Sequence, residues 1–153
     1  MRHIDARRCD LAITSVPEAV QENHIRIAGQ LAIAEEPGRT VRALRDRFGL
    51  TQEQLSGLLR MRRESLSRIE GGKVAPSTGF IQRLASLMTL TQAVREHLAE
   101  CDIRGVRPDE SYLLRLAVGL RLQREVADEV VLAAMMGYEQ KKRGILRILE
   151  EHA

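Results

Sequence analysis

The stretch Thr51-Gln-Glu-Gln-Leu-Ser-Gly-Leu-Leu-Arg-Met-Arg-Arg-Glu-Ser-Leu-Ser-Arg-Ile-Glu-Gly-Gly-Lys73 decides how this chain folds. Thr51 and Gln54 stand at the spacing of a capping box, in which a hydroxyl and a side-chain amide satisfy the first free amides of a helix. Leu55, Leu58 and Leu59 then face inward on that helix. A turn falls at Arg60-Met61, and Leu66 and Ile69 supply the buried side of a second helix. Gly71-Gly72 gives that helix its C-terminal stop. The stretch therefore reads as two short helices joined by a tight turn, with arginines crowding the second.

Upstream, Ser15-Val-Pro-Glu18 has the form of a helix start, with a Ser cap, Pro in the first turn and Glu at the capping-box position. Val16, Val20, Ile27, Leu31 and Ala34 follow at helical spacing, and Pro37-Gly38 stops this helix near Glu35. Residues 1–14 show no clear period. A further helix is expected from about Thr40 to Phe48, ended by Gly49. Downstream, Pro76-Ser77 opens a long helix that runs to about Asp102. On it Phe80, Leu84, Leu87, Thr91, Val94, Leu98 and Cys101 recur as a heptad seam, which suits helix pairing within or between chains. The same stripe also suits packing on the chain's own N-terminal helix.

Gly105 to Pro108 marks the expected boundary of a second helical region. Its apolar residues fall into three groups: Leu113, Leu116, Ala117 and Leu120; Val126, Val130, Val131 and Ala134; and Ile145, Leu146 and Leu149. Gly137 and Gly144 are read as breaks or close-packing points. Between Gln123 and Ile148 the spacing is too long for a second copy of the two-helix pattern, so no repeat is expected. The predicted organisation is an N-terminal helical arm (1–38), a central domain (39–104) and a C-terminal oligomerisation or partner region (105–153).

Composition agrees with an all-α protein. The 153 residues are 44% hydrophobic, rich in Ala, Leu, Arg and Glu, and no run alternates long enough to form a strand. The net charge is only +3, but it is unevenly placed: residues 39–73 hold nine basic and four acidic side chains, and the remainder is slightly acidic. That suits a local polyanion contact. Cys9 and Cys101 are isolated, and the four histidines have no metal-ligand spacing with them, so neither metal nor cofactor is expected. No charged-then-apolar leader or membrane-length apolar run is seen, so a soluble, reduced, cytoplasmic protein is expected. Four aromatic residues are too few for a base-stacking platform. There is no Gly-rich phosphate loop and no nucleophile-base pairing, so the chain is not read as an enzyme.

Two short helices with this turn have the sequence form of a helix-turn-helix, which sets one helix in the major groove of DNA. On the second helix, Met61, Ser65, Leu66 and Ile69 are expected to face inward. Arg62, Arg63, Glu64, Ser67 and Arg68 face outward, and Arg63, Glu64, Ser67 and Arg68 share one stripe. Arg can hold a guanine edge by two hydrogen bonds, and Glu can accept from cytosine. Gln52, at the start of the preceding helix, suits a phosphate oxygen, and Arg60, Arg62 and Lys73 flank the site for backbone phosphates.

Residues 40–88, about a third of the chain, resemble the phage-repressor and Cro type of helix-turn-helix domain, also called the XRE type. The resemblance rests on Thr51-Gln-Glu-Gln-Leu-Ser56, on Ser67-Arg-Ile-Glu-Gly-Gly-Lys73 and on Pro76 before the next helix. Gly29 to Arg104 is similar, more loosely, to archaeal predicted transcriptional regulators. The resemblance implies a lambda-repressor-like five-helix domain, here with an N-terminal helix and a C-terminal helical extension. It implies base contact by Arg63, Glu64, Ser67 and Arg68, phosphate contact by Gln52 and Lys73, and an internal ion pair of Arg45 with Glu70. The chain departs from the pattern at Arg60, where Gly is usual in the turn, and at Ser56, where Ala is usual. The expectation is a sequence-specific regulator that binds double-stranded DNA as a homodimer. The alternative is an antitoxin or bridging coactivator that holds a protein partner with the same fold.

Overall fold

Local chemistry sets where each helix begins and ends. The computed structural model describes residues 16–152, which form seven helices: α1 (Glu18–Ile33), α2 (Pro37–Arg47), α3 (Gln52–Leu58), α4 (Arg63–Glu70), α5 (Thr78–Arg104), α6 (Glu110–Gly119) and α7 (Arg124–Glu151). There is no strand among the described residues. The expected Ser15 cap and residues 1–14 lie outside them. α1 ends at Ile33, before the expected Glu35, with Ala34 extended; Pro37 begins α2, because its fixed φ suits the first helical position, so α2 starts there rather than at Thr40. Thr51 caps α3 through a complete capping box, Ser77 caps α5 and Asp109 caps α6. Gly105 closes α5 in the left-handed conformation.

α5 is the axis of the molecule. An unbroken run from Leu84 to Thr91 is buried, which places protein on every side of the helix. All seven seam residues, Phe80 to Cys101, are buried within this one chain. α1 packs along one side of α5, with His24 Nε2 3.1 Å from Ser86 Oγ, and α7 packs along another. Burial pushes His24 below the usual histidine range. At the far end of α5, the Asp102 carboxylate accepts from Tyr138 Oη at 2.6 Å and from Lys142 Nζ at 3.0 Å, both on α7. The bond to Asp102 holds the Tyr138 phenol up to about 12. The seam is thus spent inside the fold, and one continuous apolar core runs from α1 to Ala134 of α7.

α7 continues through both Gly137 and Gly144, so neither glycine is a break. Nor does close packing require them: a Cβ at Gly137 would make ordinary contact, 3.4 Å from Arg95 Nη2, and one at Gly144 would meet nothing. Past the end of α5, Ile145, Leu146, Ile148 and Leu149 are exposed.

A structural copy of the α3–α4 turn occurs where no repeat was expected. In the first turn, Leu59 donates to Leu55, Arg60 to Gly57 and Met61 to Ser56; in the second, Leu120 donates to Leu116, Arg121 to Val118 and Leu122 to Ala117. Both turns place an arginine in the left-handed region, Arg60 at φ 55 and Arg121 at φ 62. Buried Leu55, Ser56, Leu59, Leu66 and Ile69 correspond, at one constant offset, to buried Leu116, Ala117, Leu120, Ala127 and Val130. The span Gln123 to Ile148 could not reveal the copy, because its first helix, α6, precedes that span. The second helices differ in length for a local reason. Gly71-Gly72 stops α4, whereas Leu132-Ala133 occupy those positions in α7 and let it run on.

Candidate nucleic-acid interface

α3 and α4 are held from behind, which leaves one face of α4 open. In the capping box of α3, the Thr51 amide donates to Gln54 Oε1 at 2.9 Å and the Gln54 amide to Thr51 Oγ1 at 3.1 Å. The turn then reverses the chain through Arg60, whose left-handed backbone costs a non-glycine residue about 1 kcal/mol or more. Arg83 Nη1, from α5, donates to the Leu59 carbonyl at 3.4 Å and ties the turn to the core. α4 follows with Leu66, Ile69 and Glu70 buried. Gly38 seats its C-terminal end, since a Cβ at residue 38 would strike the carbonyl oxygens of Ile69 and Glu70.

The polar brace behind α4 is a forked pair. Arg45 Nε and Nη2 donate to the two Glu70 carboxylate oxygens, each at 2.9 Å, and Nη1 donates to the Leu50 carbonyl at 2.9 Å. The Glu70 side chain is 3% exposed and that of Arg45 12%, so the two charges are largely out of water together. The bonds to Glu70 raise Arg45 further above its already high range. Gln52 Nε2 also donates to Glu70 Oε1, at 3.2 Å, which fixes this side chain at the start of α3 against the base of α4.

The outward residues of α4 are Arg63, Glu64, Ser65, Ser67 and Arg68, all exposed, with Arg62 exposed at its N-cap. Ser65 faces outward, not inward, because the core side of so short a helix is filled by Leu66 and Ile69. No side chain caps α4; the Ser65 amide donates to the Arg62 carbonyl, and the amides of Arg63 and Glu64 are open to an anion. Arg63 lines a shallow cleft with Arg45, Asp46, Gly49, Leu50, Thr51, Gln52 and Glu53, which brings it beside the start of α3. Lys73 is exposed, and its amide donates to the Arg68 carbonyl at 2.9 Å. Arg60 is placed differently: its Nη2 lies 3.0 Å from Glu129 Oε1 on α7, away from the α4 stripe. Sequence reasoning missed Glu129 and Arg83, which both act on the turn from distant helices. The one sequence signal for Glu129 is the recurrence of Leu59-Arg-Met-Arg-Arg-Glu64 as Leu120-Arg-Leu-Gln-Arg-Glu125.

Residues 37–98 match the family model of a helix-turn-helix domain. That span runs from the first residue of α2 into α5 and includes the Arg45–Glu70 pair, the turn and the exposed face of α4. No curated protein and no solved structure gives a significant match to the chain. The domain points to DNA as the partner. Among the described residues, no helix is long and apolar enough to cross a membrane.

Proposed function

We propose that this protein is a transcriptional regulator that reads double-stranded DNA with α4 lying in the major groove. The observation that carries the reading is the exposed stripe of Arg63, Glu64, Ser67 and Arg68 on a helix braced from behind by Arg45, Glu70 and Gln52. Arg63 and Arg68 suit guanine edges, Glu64 suits cytosine, and Ser67 accepts either. Arg62, Lys73 and the open amides of Arg63 and Glu64 suit phosphate oxygens, which set register and affinity rather than sequence. Gln52 Nε2 has a second N–H that can meet a phosphate while the first stays on Glu70. Arg60 is drawn toward Glu129 on α7 and part of its charge is met there, so we give it the weaker part of this role.

A homodimer of the XRE type, working in the cytoplasm, belongs to the same reading. The α5 seam is internal, so the exposed Ile145, Leu146, Ile148 and Leu149 of α7 are the better surface for a second copy. Two recognition helices would then meet half-sites about one helical turn, ~34 Å, apart. The test is selection of bound duplexes from a random library, with mass measurement in solution. A palindromic consensus and a dimer mass are expected, with binding that weakens steeply as salt rises. No consensus, together with salt-insensitive binding, would remove DNA as the ligand.

A further inference from the structure

The second turn repeats the main backbone features of the first. The left-handed arginine, the three hydrogen bonds of the turn and the extended residue before the second helix all recur, the last as Arg62 (φ −74, ψ 143) and Gln123 (φ −64, ψ 145). What does not recur is the outward chemistry. Arg63, Glu64, Ser67 and Arg68 correspond to Arg124, Glu125, Asp128 and Glu129, all exposed. The stripe that carries two arginines and one carboxylate on α4 carries one arginine and three carboxylates on α7. Phosphate oxygens are repelled from such a face.

We propose that residues 110–134 are a second helix-turn-helix unit that has lost its DNA-reading face and braces the first, with Glu129 as a positioning residue for α4. Glu129 stands where α4 has Arg68, and instead of facing a groove it holds the Arg60 guanidinium at 3.0 Å. Arg60 is the left-handed residue of the first turn, one step before the Met61 and Arg62 that lead into α4. The second unit therefore grips the first at the residue that sets the angle between α3 and α4. This accounts for an arginine where glycine would be the easier residue, since glycine offers Glu129 nothing to hold.

The inference rests on the DNA reading for one of its two readouts, and the other is independent of DNA. In the full-length protein, Glu129→Gln should raise amide hydrogen exchange at Arg60 and Met61 and lower the affinity ratio of selected to random duplex, each by roughly two- to fivefold, the range of an exposed ion pair. The thermal midpoint should hardly move. Asp128→Asn, which removes the same charge one residue away, should leave both readouts at wild-type values. The swap Arg60→Glu with Glu129→Arg should restore both, and the ratio cancels any general change in phosphate attraction. Glu129→Gln without effect, or a swap that restores neither readout, overturns the brace. If the wild type shows no duplex preference the DNA reading fails, and hydrogen exchange still decides the brace.

Discussion

The two turns of this chain share a backbone and differ in almost everything a ligand would meet. Both place an arginine at positive φ, and both bury the same five positions in the core, though α4 packs chiefly on α2 and α3 whereas α7 packs along α5. α4 is stopped by two glycines after eight residues and shows a basic stripe; α7 runs for 28 residues and shows an acidic one. The backs differ too. The first unit is braced by Arg45 and Glu70, whereas the position matching Glu70 in the second is Val131, half-buried against the core. The comparison teaches that this turn is a way of fixing two helices, and that the outward side chains set which charge the product presents.

The largest expected effect comes from breaking the feature the second unit lacks. Glu70→Ala leaves the Arg45 guanidinium poorly paired beside the core and frees Gln52. It should cost about 2–3 kcal/mol, the low end for a broken buried pair because Arg45 keeps some water. Val131→Ala, at the matching position, should cost less, about 1 kcal/mol, by losing apolar packing alone. Chemical denaturation of the two variants measures the difference; equal losses would mean that the polar brace is no more important than the apolar one.

A smaller effect should sharpen the comparison at the turns. Arg121→Gly relieves a left-handed residue and should stabilise the protein by up to about 1 kcal/mol. Arg60→Gly relieves the same strain but also discards the ion pair with Glu129, so its gain should be smaller or nil. Thermal melts of both variants would show it. A larger gain at Arg60 than at Arg121 would mean that the Glu129 contact contributes nothing.

Much of the first unit was legible in the sequence because each of its features has a local chemical cause. The capping box at Thr51, the turn at Arg60 and the stop at Gly71-Gly72 are all decided by residues a few positions apart. The Arg45–Glu70 geometry was legible from resemblance alone, since nothing in the spacing of two residues 25 positions apart would pair them. The second unit escaped because the span read for a two-helix pattern, Gln123 to Ile148, lies within one helix and its cap, whereas the unit begins earlier, at α6. Ser65 escaped because a small residue is silent about which way it faces. The α5 seam was seen, but a heptad stripe on a helix buried all round has the same spacing as one that pairs with another chain. Glu129 and Arg83 reach the first turn from helices distant in sequence, and only the folded chain brings them there.

The most direct test of the central claim is a binding measurement on a duplex selected by the wild-type protein, set against a scrambled duplex of the same length. Arg63→Ala with Arg68→Ala removes both arginines of the open stripe and touches none of the bonds that hold α4 in place. The account predicts that the double variant folds normally, keeps weak salt-dependent binding and loses the preference for the selected duplex, since each bidentate contact discriminates by about 1–3 kcal/mol. A double variant that still footprints the same sites with wild-type preference would contradict it.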